Sequence, residues 1–155
     1  MQPDEEDEEL LIAAFMLGDA TFGVSARLVQ EVVRVGEITC VHHAQAEVVG
    51  IRNLRGRIVT VVDLAVRLAL GCATLGPDAR LLIMEWQGEP IGFLVDVVTD
   101  AIAVIEDRIA PPPASIDPAL RRNLRGIWRE GDRLIALLNP PALFQWDDAD
   151  VANLS

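Results

Sequence analysis

The chain has 155 residues, of which 51% are apolar, and a formal net charge of −11. No apolar run is long enough to span a bilayer, and the basic stripe that nucleic-acid binding requires is missing. All basic residues are arginines, which excludes a P-loop lysine and a Schiff-base lysine. The sequence therefore predicts a compact soluble protein with no membrane insertion and no nucleic-acid partner. The absence of a signal-peptide pattern predicts a cytoplasmic location.

The acidic surplus lies at the two ends of the chain. Residues 4–9 are all acidic, and three further aspartates lie at positions 147, 148 and 150. Such runs are typical of solvated, disordered tails. We therefore predict an acidic tail over 1–9, a folded domain over 10–145 and an acidic C-terminal tail over 146–155.

The first half reads as short strands joined by turns. Strands are predicted over 10–17, 22–24 and 35–41, and a β-hairpin over 51–54 and 57–62. Ser25 is placed to cap a short helix in which apolar residues recur at helical spacing up to Val33. One or two helical turns are predicted over 44–49, and Asp63 is expected to cap a helix over 64–70 that ends at Gly71.

The second half repeats this plan after a connector over 72–78. Strands are predicted over 81–86, 91–95 and 101–105, and the three prolines at 111–113 mark a stiff surface loop. Short strands with glycine-rich turns in each half indicate two small β-barrels. The first is expected over about 18–72 and the second over about 79–145, with strand exchange left open. Each half alone is marginal in size, so the two are expected to share apolar surface.

Internal similarity supports a duplication. Phe22-Gly23-Val24 lies 69 positions before Ile91-Gly92-Phe93, and other apolar blocks keep the same offset. The tetrapeptide Asn-Leu-Arg-Gly occurs at 53–56 and again at 123–126. We expect strand 57–62 to match strand 133–138, with a six-residue insertion after the second tetrapeptide. A repeat of this length is one small domain, which favours two similar halves.

Residues for catalysis or metal binding are sparse. Cys40, His42 and His43 form the one cluster that resembles a metal site, but adjacent histidines on an extended segment point to opposite sides and a fourth ligand is missing. No Gly-x-Ser-x-Gly elbow and no phosphate-binding loop are present. The sequence therefore predicts no enzyme, no metal site and no cofactor.

The turn at 53–56 combines residues with separate physical roles. Gly56 permits a tight turn, and Asn53 can bond the backbone beside it. Arg55 is flanked by apolar strands, where an unpaired cation is costly, so we expect it to have an acidic partner.

Several blocks of the chain share an order and spacing with a known family. They are 15–19, 22–24, 29–32, Gly50-Ile51-Arg52-Asn53-Leu54-Arg55-Gly56 continued to Leu64, and 91–98. Over about residues 10–145 the chain thereby resembles the CheW family of chemotaxis coupling proteins. The resemblance implies two intertwined SH3-like five-stranded β-barrels with a groove between them. The sequence departs from the family pattern in two ways: it has no proline at 41–46, and it carries a second Asn-Leu-Arg-Gly.

The resemblance also implies a function that needs contact surfaces and no chemistry. Family members bind the regulatory domain of a CheA-type histidine kinase and the cytoplasmic tip of methyl-accepting chemoreceptors, and they hold both in an array at the membrane. Carried over to this sequence, the receptor-binding groove comprises Val29, Glu31, Gly50, Asn53, Arg55 and Ala101, and we predict a salt bridge between Glu31 and Arg55.

Two other functions stay open on the sequence. One is a CheW-like scaffold of a different pathway that controls gliding or pilus motility or gene expression. The other is a small-ligand-binding double barrel without a kinase partner.

Overall fold

The computed structural model describes residues 8–42, 45–73 and 75–145, which are mostly β. Short 3₁₀ helices span Ala26–Leu28 and Glu106–Arg108. The strands and α-helices are β1 (Glu9–Leu17), β2 (Ala20–Ser25), β3 (Glu31–Arg34), β4 (Val48–Leu54), β5 (Arg57–Asp63), α1 (Leu64–Arg67), β6 (Arg80–Trp86), β7 (Glu89–Val95), β8 (Val97–Ile105), α2 (Pro118–Arg121), β9 (Leu124–Glu130), β10 (Arg133–Leu138) and α3 (Pro140–Leu143).

The described strands form two five-stranded sheets, each of which takes strands from both halves of the sequence. Sheet A has the order β8-β1-β2-β10-β9, and sheet B has the order β3-β6-β7-β5-β4. Each sheet therefore joins the β-hairpin of one half to three strands of the other. One join in each sheet is a parallel pair, β2 with β10 in sheet A and β5 with β7 in sheet B. The other is antiparallel, β1 with β8 in sheet A and β3 with β6 in sheet B. The predicted mainly β class is confirmed, and neither sheet is built from 18–72 or 79–145 alone.

The strand registers place the two halves at equivalent positions. Phe22 in β2 lies opposite Ala136 in β10, and Ile91 in β7 lies opposite Thr60 in β5. Phe22 thus matches Ile91, and the strand that begins at Arg57 matches the strand that begins at Arg133. The 69-position offset predicts the first equivalence, and the second is the one expected for strands 57–62 and 133–138.

The two Asn-Leu-Arg-Gly tetrapeptides, in contrast, are not structurally equivalent. The first forms the end of β4 and the turn to β5, whereas the second begins β9. Ile51 and Ile127 pair with equivalent positions of β5 and β10. Gly126, directly before Ile127, therefore corresponds to Gly50 and not to Gly56. The predicted six-residue insertion is wrong, because most of those residues complete β9.

Apolar residues alternate between two sides of each sheet and form three clusters. In β6, Leu82 and Met84 belong to the largest cluster, which draws residues from both sheets. Leu81 and Ile83 belong to a second cluster on the other face of sheet B. A third cluster occupies the corresponding face of sheet A. The halves therefore share apolar surface, as their size predicted.

The segment after β2 differs from the sequence prediction. The predicted helix is wrong: only a 3₁₀ helix over Ala26–Leu28 forms, and the Ser25 side chain makes no capping bond. Residues Glu31–Arg34 form β3, which pairs with β6. The β-branched residues Val32 and Val33 suit a strand, and the open edge of β6 decides between the two forms.

Three further local predictions change in the structure. The predicted strand over 35–41 is reduced to one bridge, between Thr39 and Ile51. The predicted helical turns over 44–49 are wrong because β4 begins at Val48, while residue 44 lies outside the described residues. The helix capped by Asp63 ends at Arg67 instead of continuing to residue 70.

Most of the predicted acidic tails lie outside the described residues. Residues 1–7 and 146–155 are not described. Glu9, however, is the first residue of β1 and pairs with Ile105, and the Glu8 carbonyl accepts a hydrogen bond of 3.1 Å from the Glu106 N–H. The ordered domain therefore begins no later than residue 8.

Candidate functional site

The turn between β4 and β5 holds Arg55 in an uncommon backbone conformation. Arg55 and Gly56 have φ angles of 52° and 87°, which fits the two-residue type I′ turn that matches the twist of a β-hairpin. The Asn53 side-chain oxygen accepts a hydrogen bond of 2.9 Å from the Gly56 N–H. The tight turn therefore displays the arginine side chain, which is 67% exposed.

Arg55 forms the predicted salt bridge with Glu31. This hydrogen bond to Glu31 raises the pKa of the Arg55 guanidinium above its usual value. Glu31 lies on strand β3 and not on a helix, so its predicted placement is corrected. β3 and β4 are the two edge strands of sheet B. Glu31 lies on β3 and Arg55 directly follows β4, so their ion pair shows that the sheet curls until its two edges approach each other.

The two edges meet along a line that we call the seam, formed by residues 31–39 and 50–55. At its other end, Thr39 and Ile51 exchange two backbone hydrogen bonds of 2.8 Å. Gly50 lies against this bridge, and a β-carbon there would overlap the Thr39 carbonyl oxygen. Only glycine allows the two backbones to approach so closely.

A second group of polar side chains adjoins the Glu31–Arg55 pair. Gln30 donates a hydrogen bond of 3.1 Å to Glu85 on β6, and Arg57 lies 3.6 Å from the same carboxylate. Arg55 and Arg57 flank Gly56, so neighbouring carboxylates hold the arginines on both sides of the turn. This arrangement fixes the charged surface at one end of the seam.

The predicted groove residues divide between the two sheets. Glu31, Gly50, Asn53 and Arg55 all lie on the seam. Val29 follows the first 3₁₀ helix and packs, half buried, on the core cluster shared by the sheets. Ala101 is exposed on β8 of sheet A, opposite Ala13 of β1. The structure thus brings four of the six residues together, and their role in binding stays a prediction.

Sequence reasoning missed two residues in the middle of the seam, Gly36 and Arg52. Gly36 has a φ of 66°, and a β-carbon on it would lie 2.6 Å from Nε of Arg52. The backbone of Gly36 therefore lies directly on the guanidinium. Side chains alternate along a strand, so Arg52 lies on the same face as Leu54, two residues on. An expectation that Leu54 is buried would therefore have placed Arg52 on the inward face of β4.

Sheet A has related ion pairs at its own hairpin. Arg133, the counterpart of Arg57, lies 3.1 Å from Asp100, and the register of β8 makes Asp100 the counterpart of Glu31. Hydrogen bonds from Arg133 and from Thr99 lower the pKa of the Asp100 carboxyl. Arg125 on β9 pairs with Glu106 of the second 3₁₀ helix. A strand carboxylate facing a hairpin arginine is therefore a feature of both sheets.

The described residues contain no cluster of three or more metal-ligating side chains. Cys40 and Cys72 are exposed free thiols, and His43, which the sequence groups with Cys40 and His42, lies outside the described residues. None of the described helices is long and apolar enough to cross a membrane.

Comparison with known proteins agrees with this architecture. The chain is 32% identical over 151 residues to the probable chemotaxis protein CheW of Rhizobium etli, which covers 96% of this chain and 95% of the relative. It is 31% identical over 132 residues to protein FrzA of Myxococcus xanthus, across 84% of this chain and 82% of that protein. The crystal structure of the scaffolding protein TtCheW from Thermoanaerobacter tengcongensis matches with a TM-score of 0.80 and 31% identity, and covers 89% of each chain.

The fold of two five-stranded sheets and its match to a solved scaffolding protein define the class of scaffold domain. The family model for the CheW-like domain matches residues 12–148. The chain therefore belongs to the CheW-like family, as the resemblance predicted.

Proposed function

We propose that this protein is a non-enzymatic adaptor that couples methyl-accepting chemoreceptors to a CheA-type histidine kinase in a chemosensory array. The observation that carries the proposal is the similarity, along nearly the whole chain, to a probable chemotaxis protein CheW. The seam supports it, because its polar side chains hold one another in position for contact and form no nucleophile–base pair. Such an adaptor needs no cofactor.

The receptor surface in this proposal is the seam together with Val29 and Ala101. Arg55 is well exposed, and its turn and its partner Glu31 hold it in one orientation. A guanidinium fixed in this way presents several donors to a carboxylate or carbonyl of a docking helix. Preorganisation lowers the entropy lost on binding. The receptor's cytoplasmic tip is the helical partner that the family resemblance implies.

The kinase surface is separate from the seam in this proposal. The regulatory domain of a CheA-type kinase is similar in fold to the adaptor, so it pairs end to end with it. Both partners act on the cytoplasmic face of the membrane, and the adaptor is recruited there by the receptor array.

Binding to each partner tests the proposal. Isothermal titration with a receptor-tip fragment and, separately, with the kinase regulatory domain should show binding to both. Arg55→Glu should weaken receptor binding far more than kinase binding. Arg122→Glu, which reverses an exposed arginine at the end of α2, outside the proposed surface, is the control and should keep receptor binding. Equal loss of both partners by a folded Arg55→Glu protein would refute the assignment of the seam.

A second candidate is a scaffold of a different signalling pathway. It is favoured by the 31% identity to FrzA, a relative that is not named for chemotaxis. The same surfaces would serve there with a different receptor and kinase. Affinity capture from the source cells, followed by mass spectrometry of the bound kinase and receptors, distinguishes the two pathways.

A further inference from the structure

Arg52 is an arginine on the inward face of a sheet. Strand alternation puts it on the same side of β4 as Gly50 and Leu54, both of which are buried. Leu54 belongs to the apolar cluster inside sheet B. Gly36 lies on the guanidinium from above and is itself exposed, so the charge lies directly beneath the protein surface.

One nitrogen of this guanidinium has no partner. Nη1 of Arg52 is buried and makes no hydrogen bond within the described part of the chain. The ion pairs found there involve four other arginines, and none of them includes Arg52. A buried donor on a charged group is costly unless it is paired. Among the described residues, an interaction is therefore left unmade at this point of the seam.

The duplicated half shows what a satisfied version of the same position looks like. In the strand register, Arg52 lies opposite Val59 and Trp128 lies opposite Ile135. Val59 and Ile135 are equivalent positions, so Trp128 is the counterpart of Arg52. Trp128 is buried in the cluster inside sheet A and donates a hydrogen bond of 2.9 Å from its indole nitrogen to Glu130. Sheet B has Arg52 at the position of Trp128 and the apolar Leu54 at the position of Glu130. The unsatisfied cation is thus confined to the sheet that carries the seam.

We propose that Arg52 pairs with a side-chain carboxylate of the protein segment that docks on the seam. This inference rests on the proposed receptor binding and adds the chemistry of one contact. Arg52 lies between Gly50 and Arg55, so a segment that covers the seam passes over it. Gly36 has no side chain, so only its backbone lies over the Nε and Nη2 side of the guanidinium. A carboxylate suits the guanidinium because it accepts two parallel hydrogen bonds.

Titration of a receptor-tip fragment against Arg52→Met tests this contact. Methionine fills a similar volume without charge, so the free protein should be at least as stable as wild type, with an unchanged or higher melting temperature. Its affinity for the fragment should fall by about tenfold or more, as for truncation of a buried charge pair. Arg122→Met removes an exposed arginine at the end of α2, outside the seam, and should change the affinity by less than about twofold.

The partner side of the contact is tested by replacing each acidic residue of the fragment with its amide. One such replacement should weaken binding to wild type but have no further effect on Arg52→Met. If wild type binds the fragment and Arg52→Met binds equally well, this inference is wrong and the adaptor function stands. If wild type does not bind the fragment, both proposals fail.

Two remaining outcomes also decide the question. If Arg52→Met does not fold, Arg52→Lys is used in its place. The affinity of Arg52→Lys is then measured for each fragment in which one acidic residue is replaced by its amide. If no replacement changes that affinity, the proposal is overturned. If Glu37→Gln lowers the melting temperature of wild type but not that of Arg52→Met, Glu37 is the internal partner of Arg52, and that result also overturns the proposal.

Discussion

Gly50 and Gly126 occupy equivalent positions in the two sheets, and each faces a backbone carbonyl that leaves no room for a side chain. A β-carbon on Gly50 would overlap the Thr39 oxygen, and one on Gly126 would overlap the Ala110 oxygen. The isoleucine that follows each glycine forms a β-bridge with the residue that carries this carbonyl. The glycine of the second Asn-Leu-Arg-Gly therefore has the structural role of Gly50 in the other sheet.

Replacing Gly126 by alanine should destabilise the fold by about 1–3 kcal/mol, because the obstructing atom belongs to a backbone and cannot rotate away. Gly50→Ala should have a similar effect. Gly76→Ala is the control, since a β-carbon at that position would have no neighbouring atom within 4 Å. Urea denaturation measures all three. Equal stability of Gly126→Ala and Gly76→Ala would show that the second tetrapeptide has no such role.

The charge swap Glu31→Arg with Arg55→Glu should restore part of what either single reversal loses. Each single variant places two like charges beside each other at the seam, whereas the double variant restores an attractive pair. Arg55 is largely exposed and Glu31 partly so, so the change in melting temperature should be small and receptor affinity should be the sensitive measurement. Strictly additive losses of affinity in the double variant would argue against a functional pair.

Asp63→Ala should destabilise the protein by about 1–3 kcal/mol. The buried carboxylate accepts hydrogen bonds from Ala65, Val66 and Ala73, so it both caps α1 and ties down the connector between the halves. Asp117→Ala is the matched control because that exposed side chain caps α2 through one bond, to Ala119. Its loss should amount to about 1 kcal/mol or less by thermal or urea unfolding. The prediction fails if the two losses are equal.

Stability should respond to the protonation of Asp100 at low pH. Its pKa is lowered in the folded state by hydrogen bonds from Arg133 and Thr99, so its contribution is present above the unfolded pKa of about 4 and is lost as the pH falls through the folded pKa. The difference in melting temperature between wild type and Asp100→Asn should therefore shrink below about pH 4. An NMR titration of Arg133→Ala should show the Asp100 pKa rising; an unchanged pKa would exclude Arg133 as the cause.

Local patterns were sufficient for several features of this protein. The offset of 69 positions revealed the duplication, the turn chemistry of Asn53 and Gly56 fixed a hairpin, and Asp63 was correctly placed as a helix cap. The order of the family blocks also led to Glu31 and Arg55 as a pair. Each of these depends on residues near one another in sequence or on a spacing that is read directly from it.

Tertiary structure decided the features that depend on a partner strand. The segment containing Glu31 could form a helix or a strand, and the open edge of β6 selected the strand. Gly126 matched Gly50 and not Gly56 because strand register, which sequence similarity alone does not fix, sets equivalence in a sheet. The contact of the Gly36 backbone with Nε and Nη2 of Arg52 depends on the close approach of the two edges across the seam. That approach exists only after sheet B has curled and brought its two edges together.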